Sequence, residues 1–156
     1  MKRFITIRSL MLTLVLLLGA IPVVAHDRPF ALNGTGVGQF ITNDAGLPIS
    51  ATVTGSGTAT HLGLWTTIGT VNYGPPGEDG LIPSSGEATI TAANGDTLKV
   101  LVQGKLNLGA GTDSGTFTFV GGTGRFADAS GSADFVVTVN PLTGGFELTI
   151  VGRINY

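Results

Sequence analysis

Residues 86–108 read GEATITAANGDTLKVLVQGKLNL, and the fold hangs on how this stretch reverses. Apolar side chains alternate with polar ones on both sides of Asn94-Gly95: Ala88, Ile90 and Ala92 before it, then Leu98, Val100, Val102, Leu106 and Leu108 after it. A period of two is the mark of a strand with one buried face. A two-residue turn at Asn94-Gly95 would set Ile90 opposite Lys99 and Thr91 opposite Leu98, so each apolar row would face a polar one. A three-residue loop, Ala93-Asn94-Gly95, instead sets Ile90 against Leu98 and Ala88 against Val100. Only that register keeps like with like. It requires Gly95 in the left-handed region as a bulge, and the three-residue form is the one expected.

The same alternation runs through most of the chain from residue 31 onward, and no long segment shows a helical period. Eight strands are expected, at 31–42, 49–57, 59–73, 86–92, 96–108, 115–121, 131–140 and 146–155. Turn signals separate them at 43–46, 94–95, 109–114, 121–124 and 140–145, with one long loop over 74–85 that carries Pro75, Pro76 and Pro83. In the last hairpin, matching Val139 with Phe146 demands an even loop. Residues 141–144 supply four, with Pro141 suited to the second position of a type I turn. The inward faces include Phe135, Val137 and Val139, then Phe146, Leu148, Ile150 and Ile154; Lys99, Gln103, Lys105, Asp134, Glu147 and Arg153 face out. Eight short strands with hairpin connections give an all-β fold, an eight-stranded antiparallel up-and-down β-barrel, because closure removes both sheet edges.

The first 25 residues stand apart. Lys2, Arg3 and Arg8 precede an apolar run from Leu10 to Leu18, and Val23-Val24-Ala25 follows Pro22. This is the order of a cleavable export signal, cut after Ala25. Leu10–Val24 is short of the ~20 residues of a membrane-spanning helix, so export is preferred over an anchor, and the location expected is secreted or periplasmic. Residues 26–156 then form a single domain with five basic against ten acidic groups, a net charge of −5. An acidic surface without a Lys/Arg cluster is a poor match for nucleic acid or anionic membrane. With no cysteine and only His26 and His61 as histidines, thiol chemistry, disulfides and a His-rich metal site are excluded. No metal and no cofactor is expected. A lipid-modified N-terminus is likewise ruled out.

The most distinctive run is Phe117-Thr118-Phe119-Val120-Gly121-Gly122-Thr123-Gly124-Arg125-Phe126-Ala127-Asp128-Ala129-Ser130-Gly131. A strand ends in a glycine-rich turn, then come an aromatic, small residues and a glycine that restarts a strand. This segment resembles the corresponding segment of the allene oxide cyclase and dirigent barrel group. Ala59-Thr60-His61-Leu62-Gly63 and Ala92-Ala93-Asn94-Gly95-Asp96 look like uncharacterised secreted bacterial members. The resemblance implies an eight-stranded barrel, often oligomeric, whose apolar cavity in some members steers cyclisation or coupling of a small lipophilic molecule. This chain has no pocket cysteine, and no acidic residue aligns with a dirigent catalytic position, so no catalytic residue is carried over. From the residues themselves, Gly121, Gly122 and Gly124 permit a sharp reversal through positive φ. Phe126 is then expected to plug one barrel end, with Arg125 holding the turn by bonding free carbonyls. An anion anchor is the other reading of Arg125. A phosphate loop is disfavoured, because no Lys-Ser/Thr follows.

His61, Trp65 and Tyr73 share one parity if strand 59–73 is unbroken. Together with Phe117, Phe119 and Phe135 they are the candidate ligand-binding residues. The reading preferred for the strand turns Leu62, Leu64 and Ile68 inward and this row outward, in a subunit contact. Glu78 and Asp79 read as solvated loop acids, and Asn33-Gly34-Thr35 is a sequon that matters only in a eukaryotic secretory pathway. Three classes of function fit: a barrel that binds a small apolar ligand, or steers its cyclisation; a structural envelope module with a filled barrel; and a small outer-membrane barrel. The last is disfavoured by one Trp and two Tyr, too few for aromatic girdles, and no stable membrane insertion is expected.

Overall fold

The computed structural model describes residues 27–140 and 142–156. The expected export signal and its cleavage point fall outside the described residues, as does Pro141. Eight strands follow one another: β1 (Arg28–Thr42), β2 (Pro48–Ala59), β3 (Gly63–Tyr73), β4 (Ile82–Ala92), β5 (Thr97–Asn107), β6 (Thr112–Gly122), β7 (Ser130–Val139) and β8 (Gly145–Asn155). Each pairs antiparallel with the next, and β8 returns to β1, with Ile150 opposite Leu32, to close the barrel. A single 3-10 turn, Gly124–Phe126, sits between β6 and β7.

Both hairpins have the expected register. Ile90 faces Leu98 and Ala88 faces Val100. The Gly95 N–H donates to the Ala92 carbonyl at 2.9 Å, and Gly95 takes φ +88°. In the last hairpin Val139 faces Phe146, and the Asn140 N–H donates to the Gly145 carbonyl at 2.7 Å.

Inside the barrel, large side chains lie against glycines. Gly34 and Gly36 of β1 face inward, and a Cβ on either would collide with the ring of Trp65 or Phe146. A Cβ on Gly104 would stand 2.8 Å from Phe135 Cζ. Eight strands leave an interior just wide enough for side chains, so a ring fits only where the opposite wall has none.

Several boundaries depart from the sequence reading, and four of them bear on the site. The expected strand 59–73 is broken: Thr60-His61-Leu62 form a turn, with His61 at φ +65° and Gly63 at +69°. That turn decouples His61 from the alternation of β3. Trp65 is 2% exposed and faces inward, whereas Leu64 and Ile68 are 68% and 62% exposed, so the inward face is the reverse of the preferred reading except at Leu62, which is buried beneath the turn. The long loop shrinks to 74–81, because β4 starts at Ile82 and the Pro83 carbonyl accepts the Gly74 N–H at 2.9 Å. Strand β6 begins at Thr112 rather than 115, and this places Asp113 on the inward face. Leu108, expected inward, lies beyond the end of β5 and is exposed.

Candidate functional site

The two ends of the barrel differ. At one end the β2–β3 turn, the β4–β5 loop and the β6–β7 connection converge on a packed floor. Gly121 and Gly124 take φ +89° and +57°, and the reversal they allow carries Phe126 beneath the strands, where it is fully buried. Its ring meets Tyr156 at 5.0 Å, while Phe30 meets Phe119 edge-on at 4.9 Å. Ala129 is buried with them and Ala127 is exposed. Arg125 behaves as a clamp. Its Nη2 donates to the His61 carbonyl, its backbone N–H donates to Asp96 Oδ2 at 3.3 Å, and its guanidinium lies 4.9 Å from the Phe126 ring centroid. One cation thus ties together three turns.

Toward the other end, the inward positions open progressively. On β7 Ala133 and Phe135 are buried while Val137 and Val139 are half-buried; on β8 the change falls between Leu148 and Phe146. The upper half encloses an apolar cavity of about 80 Å³ lined by Trp65, Val71, Tyr73, Phe117, Phe135 and Leu148 among others. One water needs about 10–15 Å³ in such a measure, so the space suits a slender molecule. Phe40 and Tyr73 stack at the mouth, 6.2 Å between centroids.

A buried carboxyl is built into this wall. Asp113 is 7% exposed, and its Oδ1 accepts the Ser84 hydroxyl at 2.9 Å across the inward-facing Gly104. Burial pushes the Asp113 carboxyl above the usual carboxylate range, opposed by the hydrogen bonds from Ser84 and from the Ser114 N–H. Tyr73 is raised as well, by burial first and then by the negative charge of Asp113, which keeps the phenol protonated. Together they offer a hydrogen-bond donor and a carboxyl that can accept or release a proton in apolar surroundings.

Of the six candidate ligand residues, Trp65, Tyr73, Phe117 and Phe135 line the cavity. Phe119 lies in the floor against Phe30. His61 sits outside at the closed end, where its Nε2 lies 2.9 Å from the Pro29 carbonyl and its ring meets Tyr156. The sequence reading missed Asp113 and Ser84. Their signal was the alternation itself: counting back by twos from Phe117 through Gly115 reaches Asp113, and back from Ala88 reaches Ser84. Among the described residues no three His, Asp or Glu side chains gather as a metal site would require.

Among the solved structures 10 chains match this one. One is the pterocarpan synthase dirigent protein GePTS1; it is 16% identical, the alignment covers 85% of this chain and 93% of that chain, and the TM-score is 0.55. At that identity the likeness shows the fold, a dirigent-like eight-stranded barrel, in keeping with the resemblance of the Phe117–Gly131 segment. No family model and no curated protein matches the chain.

Proposed function

We propose that this protein is exported and binds a small, elongated apolar molecule in the upper half of its barrel, with the ligand's polar group against Asp113 and Tyr73. One observation carries the reading: a half-open apolar cavity whose wall holds a buried carboxyl, hydrogen-bonded by the Ser84 hydroxyl and the Ser114 N–H. Burying a carboxyl costs free energy unless it is hydrogen-bonded. A fold built only as a packed module gains nothing from that expense, whereas a ligand hydroxyl would complete the carboxyl's bonds. The structurally similar dirigent protein is a pterocarpan synthase, and steering a bound substrate is compatible with the cavity here as well. Holding one reactive conformer lowers a barrier without further catalytic groups.

The arrangement of faces argues against a membrane barrel, which would turn apolar residues to lipid. Here Lys99, Lys105, Asp134, Glu147 and Arg153 project outward from the strands while the apolar rows point in. A homo-oligomer is compatible with the exposed Leu64, Ile68 and Val151.

The sole tryptophan lines the cavity, so its fluorescence reports occupancy directly. Protein purified from its own host and sprayed under native conditions should carry an apolar mass at one copy per subunit. Addition of a hydrophobic probe to the stripped protein should change Trp65 emission with saturation. No co-purified mass and no saturable change would leave the barrel a structural module. The same spectra test export: the expected N-terminus is His26, and a retained Met1 on membranes would contradict it.

A further inference from the structure

Trp65 stands where the packed floor gives way to the cavity. Its ring lies on the bare backbone of Gly34, its ladder partners are Gly57 and Ala92, and it lines the cavity with Phe117 and Phe135. The residue is 2% exposed, and its Nε1 has no hydrogen-bond partner. An indole N–H is a donor only, and buried donors are satisfied in the great majority of proteins. Phenylalanine would fill an apolar wall without that unmet bond. The nitrogen is also sealed from contact with water, so solvent does not supply the acceptor.

The geometry sets this donor far from the polar pair at the mouth, Asp113 and Tyr73. Tyr73 lies eight positions further along β3, roughly 26 Å of strand at about 3.3 Å per residue. A barrel tilt of about 35–45° reduces that to roughly 20 Å along the axis. The wall therefore carries the unpaired Trp65 donor, covered by its present packing, at the inner end and the Asp113–Tyr73 group near the mouth, with Thr67 between them donating its hydroxyl to the Thr89 carbonyl.

Building on the cavity reading above, we propose that Trp65 selects the ligand: its indole N–H donates to a hydrogen-bond acceptor, a carbonyl or ether oxygen, at the end of the molecule that enters first. The acceptor arrives with a molecule that shifts the ring from its present packing. The ligand class is then an elongated apolar compound with an acceptor at the inner end.

Benzylacetone and butylbenzene test this, since they differ by a carbonyl in place of one methylene. In nitrogen-labelled protein the single tryptophan gives a single indole N–H resonance. Saturation with benzylacetone should move that resonance downfield, and saturation with butylbenzene should not. Calorimetric titration of Trp65→Phe should show benzylacetone weakened by about 3- to 10-fold, the worth of one hydrogen bond, and butylbenzene by less than about 2-fold. Comparing each probe across the two proteins cancels the intrinsic difference in hydrophobicity between them. Equal losses for both probes and no downfield shift would overturn the role of Trp65 and leave the cavity reading standing. Failure of both probes to bind the natural protein would instead bring down the cavity reading. The resonance measurement needs no variant, so poor folding of Trp65→Phe cannot decide the matter.

Discussion

Asp113 is the residue on which the site's pH behaviour turns. Its carboxyl is raised in the folded protein, so the folded state holds the proton more tightly than the unfolded chain does. Stability from this group is thus fully present below the unfolded value, about 3.9, and is lost as the pH rises through the folded value. Asp113→Asn removes the charge and keeps the shape. The variant should gain on the wild type in urea midpoint as the pH goes from 4 to 7, with the other carboxylates cancelling in the comparison. A difference between the two proteins that stays flat with pH would mean that Asp113 is solvated and ordinary. The residue was legible in principle, through its parity with Phe117. It was hidden because Gly109–Ser114 reads as a turn, and glycine, threonine and aspartate look the same in a turn as in a strand that faces a cavity. His61 is the converse case. Its parity with Trp65 is visible in the sequence, but a left-handed non-glycine residue gives no sequence signal, and one such residue ends a strand.

Among the elements, the hairpins were readable because their registers are over-determined: a one-residue slip turns every apolar side chain outward. Gly95 carries that argument for β4 and β5. Gly95→Ala should cost about 1–2 kcal/mol, the penalty of a Cβ at positive φ, although nothing lies within 4 Å of the added atom. A cost near zero by denaturant titration would show that the loop readily adopts another turn. The β6–β7 connection was legible for a different reason, since only a glycine-flanked reversal puts an aromatic under a barrel. Two substitutions separate packing from charge there. Phe126→Ala should cost about 3–5 kcal/mol, as for other fully buried aromatics. Arg125→Ala should cost about 1 kcal/mol or less, because its contacts lie at the surface and are screened. If the order were reversed, the clamp rather than the plug would hold the floor.

At the scale of the whole molecule, the barrel is a packed half joined to a hollow half, and this division was not legible in the sequence. Alternation tells which side chains point inward, but whether they meet depends on the glycines opposite them. Gly34, Gly36 and Gly104 receive rings, while Ala88, Val71 and Val137 leave space between them. Proteins that retain space at a functional site forgo stability that filling it would restore. Ala88 faces the cavity from β4, beside Ile90 and above the floor. Ala88→Leu would extend three more carbons into that space, with the half-buried mouth residues free to adjust. If the hollow is kept for a ligand, the variant should unfold at a higher urea concentration, a gain of about 0.5–2 kcal/mol, and should lose the saturable change in Trp65 emission on addition of the hydrophobic probe. If the barrel is a packed module whose narrow space is residual, the added side chain would meet close-packed neighbours and cost about 1–3 kcal/mol through strain. The sign of that change tells open room from close packing, and the binding measurement on the same variant tells whether a guest uses that room.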